Sequence, residues 1–253
     1  MATIPTGRFV WFDYVSNEGR KAQAFFGELF GWKTKDAPMS GGRSYTMIAV
    51  GDATIGGYTE PPPAKTYWLA YLQVASARET AAKVESLGGT VVKPPFAIGD
   101  LATMALVVDP LGAAFALWQP NQVQDSGDYT GTDGAWIWNE LYSEDPDRSV
   151  AFYKAIGGFD VETIKMGGGG PGPDRYEILK SDGKGRAGIM KMPGMPPHWM
   201  PYVKVANTDA TVDRAKKLGA DVKNVETVPG IGRLAVFLDP QGAPLGILQP
   251  QPM

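Results

Sequence analysis

The hydrophobic pattern of this chain switches repeatedly between a period of two and a helical period. From Trp136 to Tyr153, "WIWNELYSEDPDRSVAFY" starts as an apolar strand, passes an acidic turn and continues at helical spacing. In Glu18–Phe30 the apolar positions Ala22, Phe25, Phe26 and Leu29 predict one buried face of a helix. A further helix is predicted over Arg78–Leu87, stopped by Gly88–Gly89. "DPLG" and "DPQG" place Asp first, Pro second and Gly fourth, the signature of a type I turn, and each joins two β-rich runs into a hairpin.

These elements occur twice. "VWFDYVSNEGRKAQAFFGELFGW" parallels "IWNELYSEDPDRSVAFYKAIGGF", so that Trp11 matches Trp138, Asp13 matches Glu140, Phe25 matches Phe152 and Gly31 matches Gly158. "YWLAYLQVASARETAAKVESLGG" parallels "HWMPYVKVANTDATVDRAKKLGA", matching Trp68 to Trp199 and Tyr71 to Tyr202. The chain is a tandem duplication, and each half divides again into two βαβββ modules. The modules are expected at 9–62, 67–120, 135–193 and 198–251. This predicts an N-terminal domain over 1–120, a polar, Gly-rich linker over 121–134 and a C-terminal domain over 135–253.

Composition narrows the function classes. The net charge is −3 and no run of like charges occurs, which argues against a nucleic-acid partner. No apolar run is long enough to span a bilayer, and "MATIPTGRFVW" lacks the features of a signal peptide, so the expected location is the cytoplasm. The absence of cysteine excludes thiol catalysis, disulfides and thiolate metal sites.

Modules carrying "AFF", "LFGW", "AFY", "IGGF", "SLGG…DPLG" and "KLGA…DPQG" resemble the vicinal oxygen chelate superfamily, which includes glyoxalase I, the bleomycin-resistance proteins and the extradiol dioxygenases. In particular the chain resembles tandem, actinobacterial-type members, some of them tailoring proteins for aromatic polyketides. It implies an α+β fold: four βαβββ modules paired into two glyoxalase-like domains, each a curved mixed sheet around a cavity. The family's usual chemistry is a divalent metal chelating two substrate oxygens. Carried onto this chain, its first-strand ligand positions fall on Trp11, Leu69, Trp138 and Met200, and a further Glu position falls on Ala116 and Gly246. None offers a donor that a hard cation or zinc requires, so no cofactor and no metal ligand are expected here.

Strand alternation then selects what shares the cavity face. Asp13 stands with Trp11, Glu140 with Trp138, Tyr67 and Tyr71 with Leu69, and His198 and Tyr202 with Met200. Trp118 and Arg233, the latter replacing Thr103 of the first half, are the remaining candidates. A carboxylate among aromatic side chains is desolvated, which favours its neutral form and suits it to proton transfer. Glu140, His198, Asp13 and Tyr202 are therefore candidate catalytic groups. Trp11, Trp138, Leu69, Tyr71, Trp118, Met200 and Arg233 are candidate substrate contacts. For each, a structural role is the competing reading: a core residue for the tyrosines, an exposed strand residue for Arg233. The "MGGGGPGPD" run lacks a following Gly-Lys-Ser/Thr and is read as a hairpin loop rather than a phosphate cradle.

Three functions fit. The first is a metal-independent acid–base enzyme that dehydrates, cyclises or isomerises a bulky, apolar, aromatic small molecule. The second is a drug-sequestering binding protein. The third is a glyoxalase-like metal lyase with a displaced site built from His198 and Glu140. The expected partner is a small-molecule ligand, and either a monomer or a homodimer is compatible with four modules in one chain.

Overall fold

The computed structural model describes residues 4–39, 42, 44–60, 66–123, 129, 131–166 and 174–251. The predicted connector at 61–63, most of the glycine run at 166–174 and part of the linker lie outside them. The first module comprises β1 (Arg8–Val15), α1 (Gly19–Phe30), β2 (Lys33–Pro38), β3 (Ser44–Val50) and β4 (Ala53–Thr59). The second comprises β5 (Tyr67–Gln73), α2 (Ala77–Ser86), β6 (Thr90–Ile98), β7 (Ala102–Val108) and β8 (Ala114–Pro120). The third runs through β9 (Trp136–Ser143), α3 (Pro146–Gly157), β10 (Asp160–Lys165), β11 (Arg175–Ser181) and β12 (Lys184–Lys191). The fourth runs through β13 (His198–Lys204), α4 (Thr208–Lys217), β14 (Asp221–Val228), β15 (Gly232–Leu238) and β16 (Pro244–Pro250).

Local chemistry sets the helix ends. Ser76, Asp145 and Asn207 accept the backbone N–H three residues on and so cap α2, α3 and α4. Pro146 occupies the first turn of α3, where its missing N–H costs nothing. Gly31 and Gly158 end α1 and α3 in the left-handed conformation, at φ 73° and φ 70°, and hand their N–H groups to the last helical turn. The βαβββ reading holds in all four modules.

The strands form two curved, open mixed sheets of eight, ordered β2-β3-β4-β1-β5-β8-β7-β6 and β10-β11-β12-β9-β13-β16-β15-β14. Each sheet thus follows one half of the duplication. Tertiary contacts group the chain differently, into one unit of Met1–Trp11, Ala70–Asp128 and Asn139–Trp199, and another of Phe12–Leu69, Tyr129–Trp138 and Met200–Met253.

Each unit is pinned by a tyrosine on the aspartate of a "DP-G" turn. In the first unit, Asp109 Oδ1 accepts the N–H groups of Leu111, Gly112 and Ala113, and the Tyr153 hydroxyl donates to Asp109 Oδ2 at 3.1 Å. Tyr153 also accepts from Trp199 Nε1 at 3.0 Å. In the second, Asp239 Oδ1 accepts from Gln241 and Ala243, and Tyr14 donates to Asp239 Oδ2 at 2.6 Å. The donor comes from helix α3 in one unit and from strand β1 in the other. Burial pushes both tyrosine hydroxyls above their ordinary pKa, and the neighbouring carboxylates add to the shift. The repeat counterpart of Tyr153 is Phe26, which has no hydroxyl. Trp68, the counterpart of Trp199, consequently keeps a buried indole N–H without a partner among the described residues.

Candidate functional site

Tyr14 of β1 packs edge-on against Phe26 of α1 and against Trp68, so its side of the strand faces the helix. Asp13 must point the other way, on the side of Trp11. It is 1% exposed, and its carboxylate accepts the hydroxyl of Tyr45 from β3 at 2.5 Å. The third module repeats the arrangement. Glu140 is 4% exposed and accepts the hydroxyl of Tyr176 from β11 at 2.7 Å.

In both cases the tyrosine reaches across an intervening strand. Gly57 of β4 stands in register with Asp13, and Gly188 of β12 with Glu140. A Cβ on either glycine would overlap the tyrosine hydroxyl and ring. The absent side chain is what lets the phenol lie over the strand and reach the carboxylate, a close-approach use of glycine. Sequence reasoning found the carboxylates but missed Tyr45, Tyr176 and the two glycines. The signal was available in the repeat, where "SYTMIAV" aligns with "RYEILKS" and "IGGYT" with "RAGIMK".

Further candidates lie on the same strand faces. Tyr142, two residues beyond Glu140, meets the His198 imidazole edge to face at 5.2 Å between centroids. His198 Nδ1 lies 2.8 Å from the Pro196 carbonyl oxygen, whereas its Nε2 is buried and has no partner among the described residues. Burial holds the imidazole pKa below its ordinary 6.5, against the pull of the Pro196 carbonyl. Trp11 and Trp138 are half-buried. Tyr71 is buried beside Trp118, with ring centroids 5.8 Å apart, and Leu69 lies two residues earlier on the same strand. A groove of about 310 Å³ lies away from these residues, lined by Ser76, Glu79, Lys83, Ile156 and Gly157 among others.

Met200 and Tyr202 are both buried, and the Tyr202 ring lies directly over Gly246, its neighbour in register. A side chain at Gly246 would overlap that ring. Arg233 corrects an expectation. Gly246 is in register with both Tyr202 and Val236, which puts Val236 on the tyrosine's face and Arg233 on the opposite one. There its guanidinium pairs with Asp209 of α4 and Thr227 of β14, and it is not a ligand contact of the Tyr202 face.

The side chains at the chelating positions do not fit a divalent cation. Trp11, Leu69, Trp138, Met200, Ala116 and Gly246 supply no oxygen or imidazole donor. Among the described residues no three His, Asp or Glu side chains converge. A displaced site of His198 and Glu140 would therefore find no third protein ligand of this kind among the described residues.

Comparison with known proteins agrees with the architecture. The family model of the Glyoxalase/Bleomycin resistance protein/Dioxygenase superfamily matches residues 136–247. The Mycobacterium bovis protein CFP32, named a candidate glyoxylase, is 34% identical over 251 residues, covering 96% of this chain and 94% of that protein. The anthracycline biosynthesis protein DauV of Streptomyces sp. strain C5 is 28% identical, covering 98% of this chain and 95% of that one. The chain belongs to the glyoxalase/bleomycin resistance/dioxygenase superfamily, and its two sheets are two glyoxalase-like domains. Solved structures share the fold at low identity. The Mn(II)-bound glyoxalase from Novosphingobium aromaticivorans has a TM-score of 0.65 at 15% identity, covering 97% of this chain and 82% of that one. The 2,3-dioxygenase LapB from Pseudomonas sp. KL28 has a TM-score of 0.64 at 12% identity, covering 98% and 93%. Among the described residues no helix is long and apolar enough to cross a membrane.

Proposed function

We propose that this protein is a metal-independent acid–base enzyme that moves a proton on a bulky, aromatic small molecule, in a dehydration, cyclisation or isomerisation of the polyketide-tailoring kind. The observation that carries this reading is the Glu140–Tyr176 hydrogen bond, repeated as Asp13–Tyr45. Burying a carboxylate costs free energy. Finding one in the same place in both halves, each oriented by a tyrosine that needs a glycine to reach it, is more than a pocket for stacking requires. An oriented carboxylate is what a general base needs. The tyrosine fixes its direction, and Trp138, two residues earlier on the strand, offers a flat face to an aromatic substrate. The relatives DauV and DnrV, named as anthracycline biosynthesis proteins, point to a ligand of that size and planarity.

Replacing Glu140 with Gln keeps the shape and the hydrogen-bonding capacity but removes the base. With a planar aromatic polyketide substrate, turnover should fall about a hundred-fold or more while ligand affinity is retained. Gly188→Ala, which displaces Tyr176, should lower turnover in the same direction. Unchanged turnover in Glu140→Gln would refute the assignment. Tight ligand binding without turnover in the wild type would support sequestration instead, and stoichiometric metal in the purified protein would overturn metal independence.

A further inference from the structure

His198 is the sole histidine of the chain, and its two ring nitrogens are in opposite situations. Nδ1 lies 2.8 Å from the Pro196 carbonyl oxygen, an atom that can only accept, so Nδ1 carries the ring proton. In the neutral ring Nε2 is then an acceptor, and it is buried without a partner among the described residues. Leaving such an atom unpaired costs free energy that a bound donor would recover. Its surroundings are those of the proposed site. The ring meets Tyr142, which shares a strand face with Glu140, and its own strand begins where the loop carrying Pro196 ends. Loss of the proton-bound form through burial keeps the acceptor state in place at neutral pH. Gly194, at φ 75°, and the Met195 N–H to Met192 carbonyl bond fold that loop into a turn, so the carbonyl that fixes the tautomer is held by local geometry.

We infer that His198 Nε2 is a hydroxyl-recognition point: it accepts the O–H of a phenol-type aromatic ligand and so orients that ligand against Glu140. This rests on the reading of the Glu140 face as an aromatic-ligand site, and it adds a substrate class, aromatic molecules that carry a free hydroxyl. It also gives His198 a positioning role rather than a share in proton transfer.

The test compares 1-naphthol with 1-methoxynaphthalene, which has the same ring but no donor, by quenching of tryptophan fluorescence. Wild type should bind the naphthol about tenfold more tightly, the worth of one buried hydrogen bond. His198→Phe should abolish that preference, so that the two probes bind with equal affinity. A second measurement needs no variant: with one histidine in the chain, the nitrogen-15 resonance of Nε2 should move upfield on saturation with 1-naphthol and stay fixed with the ether. Equal binding of the two probes, no binding of either, a preference that survives in His198→Phe, or an unmoved Nε2 resonance would overturn the inference. If the preference depends on His198 while Glu140→Gln leaves turnover intact, the acid–base reading falls and this one stands.

Discussion

Replacing Tyr153 with Phe removes one oxygen atom from the interior of the first unit and strands two partners. Tyr153 has no exposed surface, and its hydroxyl both donates to Asp109 and accepts from Trp199. Asp109 is 4% exposed and would keep its three backbone donors on Oδ1 while losing the side-chain donor to Oδ2. A hydrogen bond to a charged acceptor contributes about 1.5–3 kcal/mol, and an orphaned buried donor costs about 1–3 kcal/mol. The second figure belongs at its lower end, because Trp68 already carries an equivalent orphan in this protein. Phenylalanine is also cheaper to bury than tyrosine, which offsets part of the loss. The expected destabilisation is about 2–4 kcal/mol. Urea denaturation followed by circular dichroism should show a lower midpoint at unchanged slope. A loss below about 0.5 kcal/mol would refute the claim that the hydroxyl is a net stabilising link, since surface-like changes fall in that range.

Two further predictions follow from buried polar groups. Asn139 is fully buried with neither amide atom partnered among the described residues, where the first repeat has Phe12, so Asn139→Leu should raise the urea midpoint by a stability gain of about 1–3 kcal/mol; a lower midpoint would show that the amide is satisfied in solution. His198 has a folded-state pKa below its ordinary 6.5, so the unfolded chain binds the proton first as pH falls. Its contribution to stability is present above about pH 6.5 and is lost as pH drops below that value. The wild-type urea midpoint should therefore fall more between pH 7.5 and 5.5 than that of His198→Phe, and equal shifts would contradict the depressed pKa.

The sequence determined much of this protein on its own. Helical spacing, glycine stops and "DP-G" turns are local, and all four modules formed as their patterns required. The duplication was legible as matched letters. The two carboxylates could be singled out because a strand's alternation ties each to the tryptophan two residues before it.

What only tertiary structure decided were the partners. Tyr176 stands 36 residues from Glu140 in the chain, and the strand order brings them together across Gly188. Tyr14 and Asp239 are separated by 225 residues, and the counterpart lock uses a helix tyrosine instead of a strand one. No local pattern could show that exchange, because either donor satisfies the same carboxylate oxygen. Arg233 failed as a ligand contact for a related reason. A strand's pattern says that neighbours alternate, but which parity faces the site is fixed only by register against the adjacent strand, here by the pairing of Gly246 with Tyr202 and Val236.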